Sequence, residues 1–423
     1  MRVLKYFILG VLFSSCEKAD PGSISAPKGT CTDSLEVVWY KWLSAKSETI
    51  SRFSLKPMIY QNQVITTDYD LFSSELEVMS SFNKSDGSLN WRWDDYYNRG
   101  RGNSAYYHGG VKPNDAGVLF WSGVRSYYSI DLKTGESIRR LDTETNACLS
   151  GSQNPRFDAN DGLFLNSFSF PVSYYTENCI QFVFNSEFQI IQKIPFLKEG
   201  DWHPNIIQPR SHFTGDDTLI ICPVVWVSHD SASVERSGVY CYSMKQDTMV
   251  WSLNGINRMI SINSAVSGER YYFVAGSDFY CVDILTGRLI WKRSLNLPLP
   301  FRFIDPLTFA DGKIFTRNSL GDAYCLNATN GLVIWANTMD SETGASGFGE
   351  GARMEYHKGR LYYSDNTMYV LDAQSGRLIR KYKVPRSVPQ YAENYIEGIT
   401  IDPETDRMYF TDGYHLICAK VPE

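Results

Sequence analysis

Cysteine and histidine are the side chains here that most readily hold a metal or act as nucleophiles, and their spacing favours neither role. The nine cysteines include no Cys-x-x-Cys pair, and the six histidines show no ligand spacing. No Gly-x-Ser-x-Gly nucleophile elbow occurs. The segment Asp158-Ala-Asn-Asp-Gly162 has the flavour of a calcium loop, but it lacks the completing glutamate and fits a turn between strands better. The sequence therefore predicts no catalytic residue, no metal site and no cofactor.

The first fifteen residues have the composition of an export signal. Arg2 and Lys5 supply positive charge, and an apolar run follows from Tyr6 to Phe13. This run is far shorter than the about 20 residues that span a bilayer, so it predicts a signal peptide rather than a membrane helix. We assign residues 1–15 to this signal.

The cysteine that follows the signal is a candidate for lipid attachment. Phe13-Ser-Ser-Cys16 resembles a bacterial lipobox, which implies cleavage before Cys16 and a diacylglycerol on its sulfur. Residues 16–34 are polar, rich in Pro, Gly and Ser, and predict a flexible tether. The resemblance implies an outer-membrane lipoprotein of the bacterial cell envelope. Whether the protein faces the periplasm or the cell surface remains open.

A segment rich in aromatic side chains is the candidate ligand-binding loop. Aromatic rings can stack on sugars or bind a peptide. In a chain with 27 Tyr and 23 Phe they can equally belong to the hydrophobic core. A second polar excursion covers residues 226–237. The candidate side chains of the loop are Tyr96, Tyr97, Tyr106, Tyr107 and His108.

An internal repeat predicts the elements that must position any site. Each copy has an alternating strand, an Asp or Asn, a turn that ends in Gly, and a second strand. Glycine accepts the positive φ that closes such a hairpin, and a Trp four residues later falls on a fixed face of the next strand. The clearest copies are Phe279–Trp291, Ala323–Trp335 and Met368–Arg380, and the Trp recurs as Trp91, Trp251, Trp291 and Trp335.

The spacing of the repeat indicates blades of four antiparallel strands. Gly287, Gly331 and Gly376 lie 44 and then 45 residues apart, which suits four strands and their turns. The order Asp-x-x-(Thr/Ser)-Gly-(Arg)-x-x-Trp resembles the PQQ-like, quinoprotein-type repeat, including that of the BamB-like family. The resemblance implies an all-β fold, a β-propeller that occupies residues 35–423 as one domain.

The number of blades follows from the hairpins and from a strand left over at the N-terminus. Seven hairpins are visible, and the C-terminal segment from Gly398 supplies only three further strands. Leu35–Leu43 is a spare strand that can complete this last blade and remove its exposed edge. We predict eight blades, with seven as the alternative.

Four cysteines occupy one equivalent position of the repeat, which argues against disulfides between them. Neighbouring sheets lie about 10 Å apart, whereas a disulfide needs Cα atoms within about 7 Å. They are therefore predicted to be small buried side chains. The four are Cys241, Cys281, Cys325 and Cys418. Pairing of Cys148 with Cys179, or of Cys31 with Cys222, remains open.

The net charge and the sequence motifs together limit the classes of function that the chain can have. The net charge of −6, without a basic run, argues against nucleic acid as a partner. The first hypothesis is a non-catalytic, monomeric, membrane-anchored scaffold that binds an envelope protein. A surface lipoprotein that binds glycan or peptide is the alternative. A PQQ-dependent dehydrogenase is the third hypothesis, but the adjacent cysteines and calcium-ligand set typical of those enzymes have no counterpart here.

Overall fold

The structure is a computed structural model of the chain, and it describes seventeen stretches of sequence. All regular elements in these stretches are strands. The described residues are 32–43, 56–69, 77–93, 117–122, 126–142, 156–158, 163–170, 178–207, 209–228, 235–256, 264–295, 307–318, 322–337, 354–365, 367–383, 398–412 and 415–423.

The strands form eight sheets that follow one another along the chain, preceded by two N-terminal strands, β1 (Thr32–Ser34) and β2 (Val37–Trp42). The first two sheets contain β3 (Met58–Tyr60), β4 (Gln63–Tyr69), β5 (Glu77–Asn83) and β6 (Leu89–Trp93), then β7 (Val118–Ser122), β8 (Ser126–Asp131) and β9 (Ser137–Asp142). The third and fourth contain β10 (Arg156–Asp158), β11 (Leu163–Phe170), β12 (Asn178–Phe184) and β13 (Ile190–Leu197), then β14 (Trp202–Ile206), β15 (Arg210–Thr214), β16 (Asp217–Ser228), β17 (Glu235–Ser243) and β18 (Thr248–Ile256).

The remaining four sheets repeat the same meander of antiparallel neighbours. The fifth and sixth contain β19 (Ala265–Ser267), β20 (Arg270–Ala275), β21 (Asp278–Asp283) and β22 (Leu289–Ser294), then β23 (Thr308–Ala310), β24 (Lys313–Arg317), β25 (Ala323–Asn327) and β26 (Val333–Asn337). The seventh and eighth contain β27 (Glu355–His357), β28 (Arg360–Asp365), β29 (Thr367–Asp372) and β30 (Leu378–Lys383), then β31 (Thr400–Asp402), β32 (Arg407–Thr411) and β33 (His415–Lys420). The sheet count agrees with the eight expected blades, and the blade number itself stays a prediction.

The turn before each fourth strand adopts the conformation that the repeat predicts. Its glycine has φ between 69° and 74° in five sheets, and Asp247 takes the same left-handed region with φ 52° in the fourth. The Asp or Asn four residues before the glycine accepts a hydrogen bond from a backbone N–H of the turn, as Asp372 does from Ser375 at 2.7 Å. These bonds lower the pKa of Asp372 below its usual value, the Ser375 hydroxyl contributing most.

The repeated tryptophan joins each sheet to the next. In five places its indole Nε1 donates to a backbone carbonyl in the turn of the following sheet, three residues before the turn glycine. The ring lies against that glycine, so a methyl group there would lie 2.5–2.7 Å from a ring atom. The bonds run from Trp39 to Lys84 (3.3 Å), Trp91 to Leu132 (2.9 Å), Trp251 to Ile284 (2.6 Å), Trp291 to Ala328 (3.2 Å) and Trp335 to Ala373 (3.1 Å).

Where the tryptophan is replaced, a polar contact joins the sheets instead. Gln192 occupies the equivalent position in the third sheet, four residues after Phe188, whose φ is 59°. Its amide nitrogen donates to the Tyr242 hydroxyl at 2.7 Å and to the Asp247 carboxylate at 2.9 Å in the fourth sheet. In the second sheet Arg139 forms an exposed ion pair with Glu187 of the third.

The N-terminal strand closes the eighth sheet, as the sequence predicts. β2 pairs antiparallel with β33, from Val37 opposite Ala419 to Trp42 opposite His415. The first and eighth sheets also meet directly, because Lys84 forms a 2.6 Å ion pair with Asp402. The strand at the start of the chain therefore completes a sheet formed by its end, and the prediction of this closure is confirmed.

The strand before it makes a pairing that the sequence does not predict. β1 pairs in parallel with β30, which places Thr32 opposite Lys381 and Ser34 opposite Lys383. β1 overlaps the last three residues of the segment 16–34 that the sequence predicts as a tether. Residues 32–42 therefore pair with β30 of the seventh sheet and with β33 of the eighth.

The cysteines at the equivalent position of the repeat are buried between sheets, as predicted. Cys241, Cys281, Cys325 and Cys418 are fully buried free thiols on third strands. Cys179 and Cys222 are also buried free thiols, while Cys31 and Cys148 lie outside the described residues.

Burial makes these six thiols poor nucleophiles. It raises the pKa of Cys179, Cys241 and Cys325 to about 12, that of Cys281 and Cys418 to about 11, and that of Cys222 well above its usual value. We expect the six to resist iodoacetamide at pH 8 in the native protein and to react in urea, as measured by mass spectrometry of their peptides. Rapid native labelling of the Cys325 peptide would contradict the burial.

Candidate interaction surface

The candidate residues from the sequence lie outside the described residues. These are Cys16 of the lipobox and the loop side chains Tyr96, Tyr97, Tyr106, Tyr107 and His108. Their roles therefore stay predictions. Within the described ranges, no helix is long and apolar enough to cross a membrane.

The fourth sheet is where the fold departs most from its repeat. β16 has twelve residues and pairs along its length with two strands, its first half with β15 and its second half with β14. β17 and β18 are correspondingly long, with nine residues each. The segment singled out as a polar excursion, residues 226–237, therefore begins and ends in the extended β16–β17 hairpin, with residues 229–234 outside the described part.

An arginine held between two indoles lies on this extension. The guanidinium carbon of Arg236 lies 4.9 Å from the ring centroid of Trp202 and 5.1 Å from that of Trp226. Its terminal nitrogen pairs with the Glu199 carboxylate at 2.5 Å. The side chains of Arg236 and Glu199 remain 39% and 59% exposed. The arrangement fixes a charged group at the surface before any partner arrives.

Aromatic packing beneath the arginine holds this group in place. Trp226 is 4% exposed, and Tyr240 packs edge-on against Phe196 of the third sheet at 5.4 Å. Burial raises the pKa of Tyr240 above its usual value. We refer to Arg236, Glu199, Trp202 and Trp226 as the arginine cluster. Arginine and tryptophan are the side chains that most often dominate binding energy at protein interfaces.

The sequence offered only part of this cluster. Residues 226–237 included Trp226 and Arg236, but Glu199 and Trp202 come from the preceding connection and strand and were not singled out. The available signal was the run from Asp217 to Ser228, which is too long for one strand of a four-stranded blade and contains no turn.

Other polar contacts are small and local. Asp406 accepts from His357 at 2.8 Å and pairs with Lys358 at 2.6 Å, and these contacts lower the pKa of Asp406, Lys358 contributing most. His415 and Asp412 form a buried contact of 3.3 Å. In the described ranges no three His, Cys, Asp or Glu side chains are grouped as metal ligands. None of these contacts is arranged as a nucleophile with its base.

The eight sheets, their glycine turns and the tryptophans between them define a β-propeller of PQQ-like repeats. Residues 235–394 match the family model described as outer membrane protein assembly factor BamB. This match confirms, over these residues, the resemblance to the PQQ-like, BamB-type repeat that was stated from the sequence.

Solved structures with the same fold extend over nearly the whole chain. BamB from Moraxella catarrhalis aligns with a TM-score of 0.54 at 13% identity and covers 91% of this chain and 99% of its own. The computationally designed Ika8 protein aligns at 0.59 with 13% identity, covering 91% and 99%. Sqt1 from Saccharomyces cerevisiae aligns at 0.59 with 8% identity, covering 92% and 100%. No curated protein sequence matches the chain.

Proposed function

We propose that this chain is a non-catalytic propeller lipoprotein, anchored by Cys16, that acts as a protein-interaction scaffold at the cell envelope. The BamB-type repeat supports an envelope role, since the matching family is described as an outer membrane protein assembly factor. The lipobox resemblance supports attachment to the outer membrane. The protein acts as a monomer whose rigid ring presents a binding surface.

The observation that carries this proposal is the arginine cluster. It lies on the sheet that departs from the repeat, so the regular packing of blades does not require it. A guanidinium held by two indoles loses little conformational freedom when it meets a partner, which favours binding. The Nε–H of Arg236 is buried, so its terminal N–H groups would meet acceptors of a protein partner, while Trp202 supplies apolar area beside them.

The experiment compares two arginine variants in a chemical cross-linking pull-down from native membranes. We expect Arg236→Ala to reduce recovery of a stoichiometric protein partner by about tenfold, the effect of losing roughly 1.4 kcal/mol of binding. Arg139→Ala is the matched control, because Arg139 is also a half-exposed arginine in an ion pair, with side-chain exposure of 50%. The control should recover the partner as well as the wild-type chain does.

Equal recovery of the protein partner by Arg236→Ala and Arg139→Ala would show that the arginine cluster is not part of the interface. A co-purified small molecule or glycan in place of any protein partner would overturn the scaffold proposal itself.

A further inference from the structure

The strand nearest the tether exposes aromatic side chains along one face. On β2, Trp39 is 8% exposed and lies in the core, whereas the alternate residues Val38, Tyr40 and Trp42 are 39%, 61% and 42% exposed. We call these three residues the β2 stripe. Among the large hydrophobic side chains exposed in the described ranges, the aromatic ones are Tyr40, Trp42 and Phe213. Two of these three belong to one strand, whereas the other exposed side chains are aliphatic or methionine.

The aromatic rings of the β2 stripe are held in fixed positions. The ring centroid of Trp42 lies 4.0 Å from that of His415, and Tyr40 meets the same imidazole edge-on at 5.3 Å. His415 is 1% exposed, and its backbone N–H and ring nitrogen both contact the Asp412 carboxylate. The stripe thus rests on a buried support, and its exposed area is available without rearrangement.

The chain reaches the body beside this stripe. β1 lies on the outer edge of the seventh sheet and β2 on the outer edge of the eighth. The described chain begins at Thr32 on β1, five residues before β2. Sixteen residues from Cys16 to Thr32 span at most about 55 Å when fully extended. A lipid on Cys16 would therefore keep Thr32 within about 55 Å of the membrane, and β2 begins five residues further along the chain.

The stripe itself carries no charged side chain, because Lys41 lies on the opposite face of β2, against Gly87 of the first sheet. Any contact of the stripe with a membrane therefore depends on its apolar and aromatic side chains.

We propose that the β2 stripe contacts the headgroup region of the phospholipid membrane that holds the anchor, so that the propeller rests on the edges of its seventh and eighth sheets. Tyr and Trp suit this region because each has an apolar body and a polar tip. The inference rests on the anchoring of Cys16 proposed above. Neither Tyr40 nor Trp42 alone binds a membrane firmly. The anchor at Cys16 would keep both side chains at a high local concentration beside the membrane surface.

The test supplies the anchor artificially. The chain from residue 17, with an N-terminal hexahistidine tag, is bound to phosphatidylethanolamine–phosphatidylglycerol vesicles that contain a nickel-chelating lipid and brominated acyl chains. We expect brominated chains to quench part of the tryptophan fluorescence, and Trp42→Phe to abolish that quenching. Without the nickel lipid, Tyr40→Ser with Trp42→Ser should lower vesicle binding about tenfold. Phe213→Ser, which alters the exposed aromatic of another sheet, is the matched control and should change neither result.

Two outcomes would overturn the inference. One is quenching that Trp42→Phe leaves unchanged. The other is absence of quenching on vesicles while Tyr40 and Trp42 are protected from hydroxyl radicals in native envelopes, which would assign the stripe to a protein partner. Because the tag replaces the natural lipid, Cys16→Ser in cells tests the anchor separately, by loss of radiolabelled palmitate from the chain.

Discussion

Replacing Gly331 with alanine is expected to lower the free energy of unfolding by about 3–5 kcal/mol, as for loss of a buried aromatic contact. Gly331 has φ 69°, and a methyl group on it would lie 2.5 Å from the Trp291 ring. The indole would have to leave its place and break its bond to the Ala328 carbonyl. Urea denaturation followed by far-UV circular dichroism measures the loss.

Gly312 provides a control in the same sheet. Its φ is 70°, but a methyl group there meets nothing within 4 Å. Gly312→Ala should therefore cost only the left-handed backbone strain of about 1–2 kcal/mol. Equal losses for the two variants would show that the tryptophan contact adds nothing. If the contact is real, Gly331→Ala should cost much less in a Trp291→Ala background, because the two positions share one interaction.

Replacing Lys84 with alanine is expected to cost about 3–5 kcal/mol, because it leaves a buried carboxylate without its cation. Lys84 and Asp402 are 7% and 2% exposed, and they join the first sheet to the eighth. The backbone carbonyl of Lys84 also accepts from Trp39 and Tyr409, at 3.3 Å each, and these bonds can persist in the variant. The measured loss should therefore report the ion pair.

Lys245→Ala is the matched control for this ion pair. Lys245 pairs with Asp216, but the two side chains are 57% and 79% exposed, and such pairs contribute at most about 1 kcal/mol. A loss from Lys84→Ala as small as that of the control would contradict a buried junction between the first and last sheets.

The Lys84–Asp402 ion pair also predicts that the free energy of unfolding depends on pH. Burial alone would raise the pKa of Asp402, but Lys84, the Thr405 hydroxyl and the Glu404 amide together hold it below its usual 3.8. A lowered carboxyl pKa stabilises the fold above the unfolded value, and this stabilisation is lost as the pH falls through the folded value. The gap between wild type and Lys84→Ala should therefore be widest near neutral pH and shrink below about pH 4.

The fold could be predicted from the sequence because its strongest signals are local. A glycine turn, an Asp or Asn before it and a Trp after it lie within nine residues, so Phe279–Trp291 alone indicates a hairpin and the face of its tryptophan. The acceptor of that indole could not be predicted, because the Ala328 carbonyl lies in the next sheet and any residue can supply a carbonyl. The β1–β30 pairing could not be predicted either, because Thr32–Ser34 carries no strand pattern.

The arginine cluster and the β2 stripe were harder to predict than the repeated hairpins. Trp202 lies on β14 and Arg236 on β17, with β15 and β16 between them in the chain. Only the pairing of both β14 and β17 with the second half of β16 brings them together. Tyr40 and Trp42 were included in the closing strand Leu35–Leu43, but the sequence did not indicate which face of this strand stays exposed. Their exposure depends on which residues of other sheets pack against this face, and those residues are distant in the sequence.

The closure of the eighth sheet by β2 sets an order of events during synthesis. β2 is among the first strands made, and its partner β33 is the last, with roughly 370 residues between them. At about 5–20 residues per second, β2 waits some 20–75 s for its partner. During this interval a strand that carries Val37, Val38, Trp39 and Trp42 has an unpaired edge, which is prone to association with other chains. Completion of the eighth sheet therefore depends on keeping β2 from pairing elsewhere until β33 arrives.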